Sequence, residues 1–156
     1  MTGFQLTILF STISLATHSW ANDNIIHDCD IYGANCSEIV ACIEETGEYF
    51  RGGASNDDDG GPLIIRSSLG HVCTGDWWRT VLGIGRAEIT CDDGRAGKAT
   101  FLWFDKDSGT VVGSGTLNNG EEIRYWTGGK LEQYFNEIDP AERDRMSCSP
   151  GNMLIG

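Results

Sequence analysis

The chain has 156 residues, with 23 Asp and Glu against 11 Lys and Arg and a formal net charge of −12. That acid excess argues against a nucleic-acid binder, which needs a basic stripe to neutralise phosphates. At 40% hydrophobic and 10% aromatic residues, the chain is too apolar for a disordered acidic tail, and its length suits one domain with a modest core.

The first element in chain order is an address. Residues 4–16 (FQLTILFSTISLA) form an uncharged, mostly apolar run, too short to cross a bilayer as a mature helix. Ser19-Trp20-Ala21 then sets small residues on either side of Trp20, ahead of a cut after Ala21. This is the layout of a secretory signal peptide, although Met1 to Gly3 supply no Lys or Arg. The expected mature chain runs from Asn22 to Gly156 and is exported, periplasmic or extracellular, with no membrane span after cleavage.

All six cysteines, Cys29, Cys36, Cys42, Cys73, Cys91 and Cys148, fall in that mature part. An even count in an exported chain reads as disulfides. A zinc site is disfavoured, because there is no C-x-x-C pair and only His27 and His71 remain as imidazoles.

Asn35-Cys36-Ser37-Glu38 reads as a helix start, with Asn as the cap and Glu at the third helical position. Cys36, Ile39, Val40 and Ile43 then share one helical face, and Gly47 ends the helix. Two cysteines six apart on such a helix cannot bridge each other. Cys36 and Cys42 are therefore expected to take Cys29 and Cys148, in either order.

From Glu48 to Thr127 short apolar runs alternate with turn formers. Candidate strands are Pro62–Ser67, His71–Val81, Ile84–Cys91, Lys98–Phe104, Thr110–Leu117 and Glu121–Thr127. The second and third read as a hairpin around Val81-Leu82-Gly83, with Gly83 at the left-handed loop position. That register sets Cys73 opposite Cys91, Trp77 opposite Ala87 and Gly75 opposite Ile89 on one face. Trp78 meets Arg86 and Thr74 meets Thr90 on the other, and Asp76 meets Glu88, a mildly unfavourable pair. A Cys73–Cys91 bridge follows.

The last three strands set Phe101 opposite Gly113 and Gly113 opposite Tyr125, with Gly115 between Ala99 and Ile123. Glycines flanked by aromatic rings are packing seats. The opposite face carries Leu102, Val112 and Trp126, so both faces need cover. Leu131, Tyr134, Phe135 and Ile138 recur with helical spacing and supply a covering helix. Asp139-Pro140 ends it and caps a second turn, after which the tail runs loosely past its Cys148 tether. Gly113-x-Gly115-x-Leu117 with Gly120 is similar to half of a MORN-type hairpin, but at no regular repeat period, and it assigns no family.

The expected fold is mainly β: an antiparallel meander, a partly closed barrel or a sandwich, stapled by disulfides, with a short helix at each end. Its parts are the leader 1–21, an N-terminal segment and helix 22–47, an antiparallel β domain 48–128, and a C-terminal helix and tail 129–156. Residues 22–156 form one structural domain.

No catalytic constellation is legible. His27 and His71 lie in no recognisable motif, and no G-x-S-x-G nucleophile elbow occurs. Asp76, Glu88, Glu121 and Glu122 are indistinguishable from ordinary surface acids, although a facing pair would suit glycoside cleavage. Asp57, Asp58 and Asp59 cluster hard oxygens in a turn and are weak calcium candidates, but the EF-hand pattern fails. No cofactor is implied.

Among the aromatic residues of the strands, Trp78 beside Arg86 is the candidate to stack on a ligand ring or a partner. Two functions are expected from this. One is a non-catalytic acidic interaction protein whose field steers a basic partner such as a cationic hydrolase. The other is an envelope protein that binds or cleaves carbohydrate through exposed Trp and paired acids.

Overall fold

Turn formers spaced every eight to twelve residues favour pairing of each strand with the next, and in the computed structural model this meander runs until it meets its own beginning. The structure describes residues 36–55, 59–107, 109–143 and 148. The expected leader, Cys29, and the tail beyond Cys148 lie outside the described residues. Eight antiparallel strands form a closed barrel in sequence order: β1 (Cys36–Ile43), β2 (Glu48–Ser55), β3 (Gly60–Ser67), β4 (Val72–Arg79), β5 (Gly85–Cys91), β6 (Ala96–Phe104), β7 (Val111–Leu117) and β8 (Glu122–Gly128). Closure is made by β1 against β8, with Ile39 opposite Thr127 and Ile43 opposite Ile123.

The expected N-terminal helix is not there. Residues 36–43 form β1 instead, and the reason lies in its burial. Ile39, Ala41 and Ile43 face the barrel interior, while Val40 and Cys42 belong to a second apolar cluster on the outside. A strand covered on both faces loses the alternation that marks strands, so its apolar residues imitated a helical stripe. Gly47 is left-handed (φ 72°), but its N–H donates to the Ile43 carbonyl at 2.9 Å to turn the chain into β2.

The hairpin from β4 to β5 has the expected register, from Cys73 opposite Cys91 to Trp78 opposite Arg86. Thr80 and Ile84 close its loop, and Gly83 takes φ 76°. Glu88, set against Asp76, is relieved on its other side by Lys98 Nζ at 2.6 Å. Phe101, Gly113 and Tyr125 also lie in one row across β6, β7 and β8. A bulge at Leu102 then shifts the register, so Trp103 pairs with Val112 and Leu102 is left exposed.

Helix α1 (Leu131–Glu137) crosses the outside of the barrel. Leu131 and Phe135 are buried against Val40, Cys42 and Trp126, with the Trp126 and Phe135 rings 5.4 Å apart. The one-turn helix α2 (Pro140–Arg143) follows, its Ala141 N–H donating to the Asp139 carboxylate at 2.7 Å. A Cys42–Cys148 disulfide ties the chain beyond these helices to β1, with a Cα separation of 6.0 Å. Among the described residues no helix is long and apolar enough to cross a membrane.

Gly113 is one of the seats of the aromatic row. A Cβ there would overlap the Tyr125 ring. Gly113→Ala is therefore expected to lower the unfolding free energy by about 1–3 kcal/mol through overpacking, measured by urea denaturation. Ser114→Ala, on the exposed outer face of the same strand, is expected to change it by less than about 0.5 kcal/mol. Equal effects at the two positions would refute the ring seat.

Candidate functional site: a hollow barrel interior

The inward residues divide the barrel into a filled end and an open end. At the filled end Ile43, Phe50 and Leu117 are almost fully buried, beside the Cys73–Cys91 disulfide. Below them lies a polar plug. Glu48, only 6% exposed, receives both guanidinium nitrogens of Arg95, at 2.7 and 2.8 Å, and the Ser67 hydroxyl. Arg95 Nε also reaches Asp93 at 2.6 Å, and its guanidinium lies 5.7 Å from the centre of the Phe50 ring.

This paired geometry satisfies two buried charges at once, as burial demands. The Arg95 guanidinium, helped by Ser67, holds the Glu48 carboxyl below its ordinary value against the opposing effect of burial.

Toward the other end the interior is a cavity of about 270 Å³. Its wall is largely apolar, including Ile39, Leu63, Ile65, Ile89, Phe101 and Ile123, with Ala41, Ala54, Ala87 and Ala99 leaving space between them. Trp77 joins the wall, its indole N–H donating to the Ser55 carbonyl at 2.8 Å. Three rings form a tilted series there: Trp77 to Phe101 at 6.2 Å and Phe101 to Tyr125 at 5.7 Å between centres. Ser37, Ser55, Arg79, Phe104, Thr127 and Gly128 line the open end, where their strands begin or finish.

No Asp or Glu is among the lining residues. Two of the polar groups of the wall sit on β8. Tyr125 Oη and Thr127 Oγ1 are both buried and make no hydrogen bond. An unmet buried hydroxyl costs roughly 1–3 kcal/mol. Burial also pushes the Tyr125 phenol well above its ordinary value, so it is a neutral hydroxyl able to donate.

The rim is apolar on one side. Val81, Leu82 and Ile84 in the β4–β5 loop, with Leu102 and Phe104 at the end of β6, account for five of the six large hydrophobic residues that stand exposed among the described residues. Because β5 and β6 are neighbours, these two groups adjoin. Asp59, Asp105 and Asp107 belong to the loops at the same end of the barrel.

The residues singled out from sequence are dispersed. Cys73 and Cys91 lie inside the barrel, beside the cavity floor; Cys42 and Cys148 lie outside under α1. Cys36 is also disulfide-bonded. Trp78 and Arg86 are cross-strand neighbours on the outer face, away from the cavity lining. Asp57 and Asp58 lie outside the described residues, and Asp59 is exposed at the start of β3. Among the described residues no cluster of three metal-ligating side chains occurs. His71 lies at the plugged end, with its ring nitrogens 3.3 and 3.7 Å from Asp92 and Asp93. Asp76 and Glu88 face outward, so they share no walled cleft.

Sequence reasoning missed Arg79, Thr127, Glu48 and Arg95. The signal for Thr127 was present, since the register that places Tyr125 inward also places the residue two further on. Arg95 and Glu48 are separated by 47 positions, and no local pattern links them.

Neither protein-family models nor curated proteins match this chain. Among solved structures it is similar to a de novo designed fluorescence-activating β-barrel, at 18% identity and a TM-score of 0.47, over 64% of this chain and 95% of that one. It is also similar to the redesigned β-barrels mFAP0 and mFAP1, each bound to DFHBI, at 10% identity and TM-scores of 0.49. The match covers 61% and 66% of this chain and 96% and 99% of those.

The plug gives a pH dependence. Because the folded-state value of Glu48 is depressed, its stabilisation is present in full above the unfolded value near 4.5 and is lost as pH falls through the folded value. Unfolding free energy is expected to drop on acidification below about 4.5. Glu48→Gln is expected to cost about 3 kcal/mol at neutral pH and to flatten that acid limb. Denaturant titrations across the acid range check both, and an unchanged acid limb in Glu48→Gln would refute the assignment.

Proposed function

We propose that this protein is a non-catalytic carrier that holds one small, largely apolar ligand inside its barrel. The observation that supports it most is the apolar cavity itself, whose 270 Å³ has room for roughly nine water-sized groups. A concave, mostly apolar site with a few polar groups is the usual form of a small-molecule site. No Asp, Glu, His or Cys is among the residues that line this space, so binding without chemistry is the economical reading. The disulfides favour an oxidising compartment, which supports an exported carrier.

The rim supports a second, compatible reading. An exposed apolar lip beside Asp59, Asp105 and Asp107 suits docking of a protein with apolar contacts and basic surroundings. A cationic secreted hydrolase is of that class. Binding to a lysozyme is expected to weaken with salt and to be lost in Val81→Asp/Leu82→Asp. Salt-independent retention, or none at low salt, would exclude it.

For the carrier, isothermal titration with octan-1-ol is expected to give saturable one-to-one binding. Ala87→Leu, which adds bulk to the cavity wall, is expected to weaken it by about tenfold or more. Trp78→Ala, on the outer face, is expected to leave it unchanged. Absence of saturable heat, or equal binding by Ala87→Leu, would overturn the reading.

A further inference from the structure

We infer that the ligand is a small amphipathic monocarboxylate, with its head at the open end among Thr127, Tyr125 and Arg79 and its apolar tail toward the Cys73–Cys91 disulfide. The inference rests on the carrier reading and names the class of molecule carried.

Along the inward face of β8 the side chains change in character from floor to mouth: Ile123 is a hydrocarbon, and Tyr125 and Thr127 each bring a hydroxyl. Tyr125 is only 8% exposed, and neither its hydroxyl nor that of Thr127 has a hydrogen-bond partner. Two successive inward positions thus hold unmet polar atoms where Phe and Val would have filled the same space. Trp126 Nε1 is unpaired as well, but it lies outside the barrel beneath α1. Trp77, on the cavity wall, shows the contrast, because its N–H is met by Ser55.

Arg79 ends β4, on the side of the barrel opposite β8, and lines the same mouth. Arg51, Arg95, Arg124 and Lys98 each hold a carboxylate. Among the described residues no carboxylate pairs with Arg79, although the chain has about two acids for every base. Its guanidinium therefore stands at the end of an apolar cavity with no carboxylate partner among the described residues.

The head group follows from this donor set. A carboxylate only accepts hydrogen bonds, and its charge strengthens each one. An alcohol would meet a hydroxyl but leave Arg79 without a counter-charge. An ammonium would add donors to donors, and no Asp or Glu lines the cavity to balance it. The net charge of −12 and the rim acids Asp59, Asp105 and Asp107 oppose an anion. Charges beyond about 8 Å are largely screened at physiological salt, and Arg79, which lines the cavity itself, supplies the opposing attraction.

The test is isothermal titration of the full chain, at neutral pH and physiological salt, with octanoate, octan-1-ol and octylamine, three heads on one tail. Octanoate is expected to bind about tenfold or more tightly than the other two. Arg79→Gln, at an exposed position, is expected to abolish that advantage, so that octanoate binds no more tightly than octan-1-ol. Thr127→Val and Tyr125→Phe are each expected to weaken octanoate about fivefold, with thermal unfolding confirming that the variants fold. Octanol or octylamine binding as tightly as octanoate, or an advantage that survives Arg79→Gln, would overturn the carboxylate assignment and leave the carrier reading standing. Binding of none of the three would overturn both.

Discussion

An eight-stranded barrel encloses about as much space as its own inward side chains can fill, so whether it is solid or hollow depends on what its strands turn inward. Here β1 sends in Ala41, β2 Gly52 and Ala54, β5 Gly85 and Ala87, and β6 Gly97 and Ala99. Gly52 is small for two reasons. A Cβ at Gly52 would run into the Ile64 carbonyl on the neighbouring strand. The close approach of backbones that curls the sheet thus also removes volume from the middle. Closure and hollowness come from the same residues.

That constraint explains why the two ends differ. A hollow barrel has fewer apolar contacts than a filled one and must be held elsewhere. The plugged end concentrates Phe50, Leu117, Ile43, the Cys73–Cys91 disulfide and the Glu48–Arg95 pair. The outer face adds a second cluster, in which α1 covers Val40 and Trp126 and the Cys42–Cys148 disulfide closes a separation of 106 positions. A link across so long a loop restricts the unfolded chain strongly. The mouth has the disulfide-bonded Cys36 at the start of β1, while the Tyr125 and Thr127 hydroxyls on its wall have no partner among the described residues.

These layers were unequally legible in the sequence. The hairpin around Gly83 could be aligned because a cysteine pair and a glycine turn fixed its register, and the aromatic row through Gly113 could be placed for the same kind of reason. β1 could not. Its central residues are buried on both faces, and the period that distinguishes strand from helix exists only where one face is wet. β2 was not among the candidate strands, because Gly52 and Gly53 interrupt its apolar run, yet Gly52 supplies the close approach the barrel needs. The cavity had no motif, since it is made of absences spread over eight strands. Trp78 with Arg86 attracted notice because aromatic and basic residues are conspicuous, yet alternation sends Trp78 outward by placing Trp77 inward.

The unpaired hydroxyls of Tyr125 and Thr127 acquire their meaning from rigidity. In a loosely packed protein such groups would turn toward water or a neighbouring carbonyl. Here Tyr125 is held against Gly113 and packed on Phe101, and Thr127 is fixed by ladders to Ile39 on one side and Val111 on the other. Neither strand can move without opening the barrel. The stiffness that closure imposes therefore keeps two hydroxyls unmet on the wall toward the end that the described residues leave open. A site organised before its ligand arrives loses little on binding it, and the cost of that preorganisation is borne by the disulfides and the Glu48–Arg95 plug at the far end.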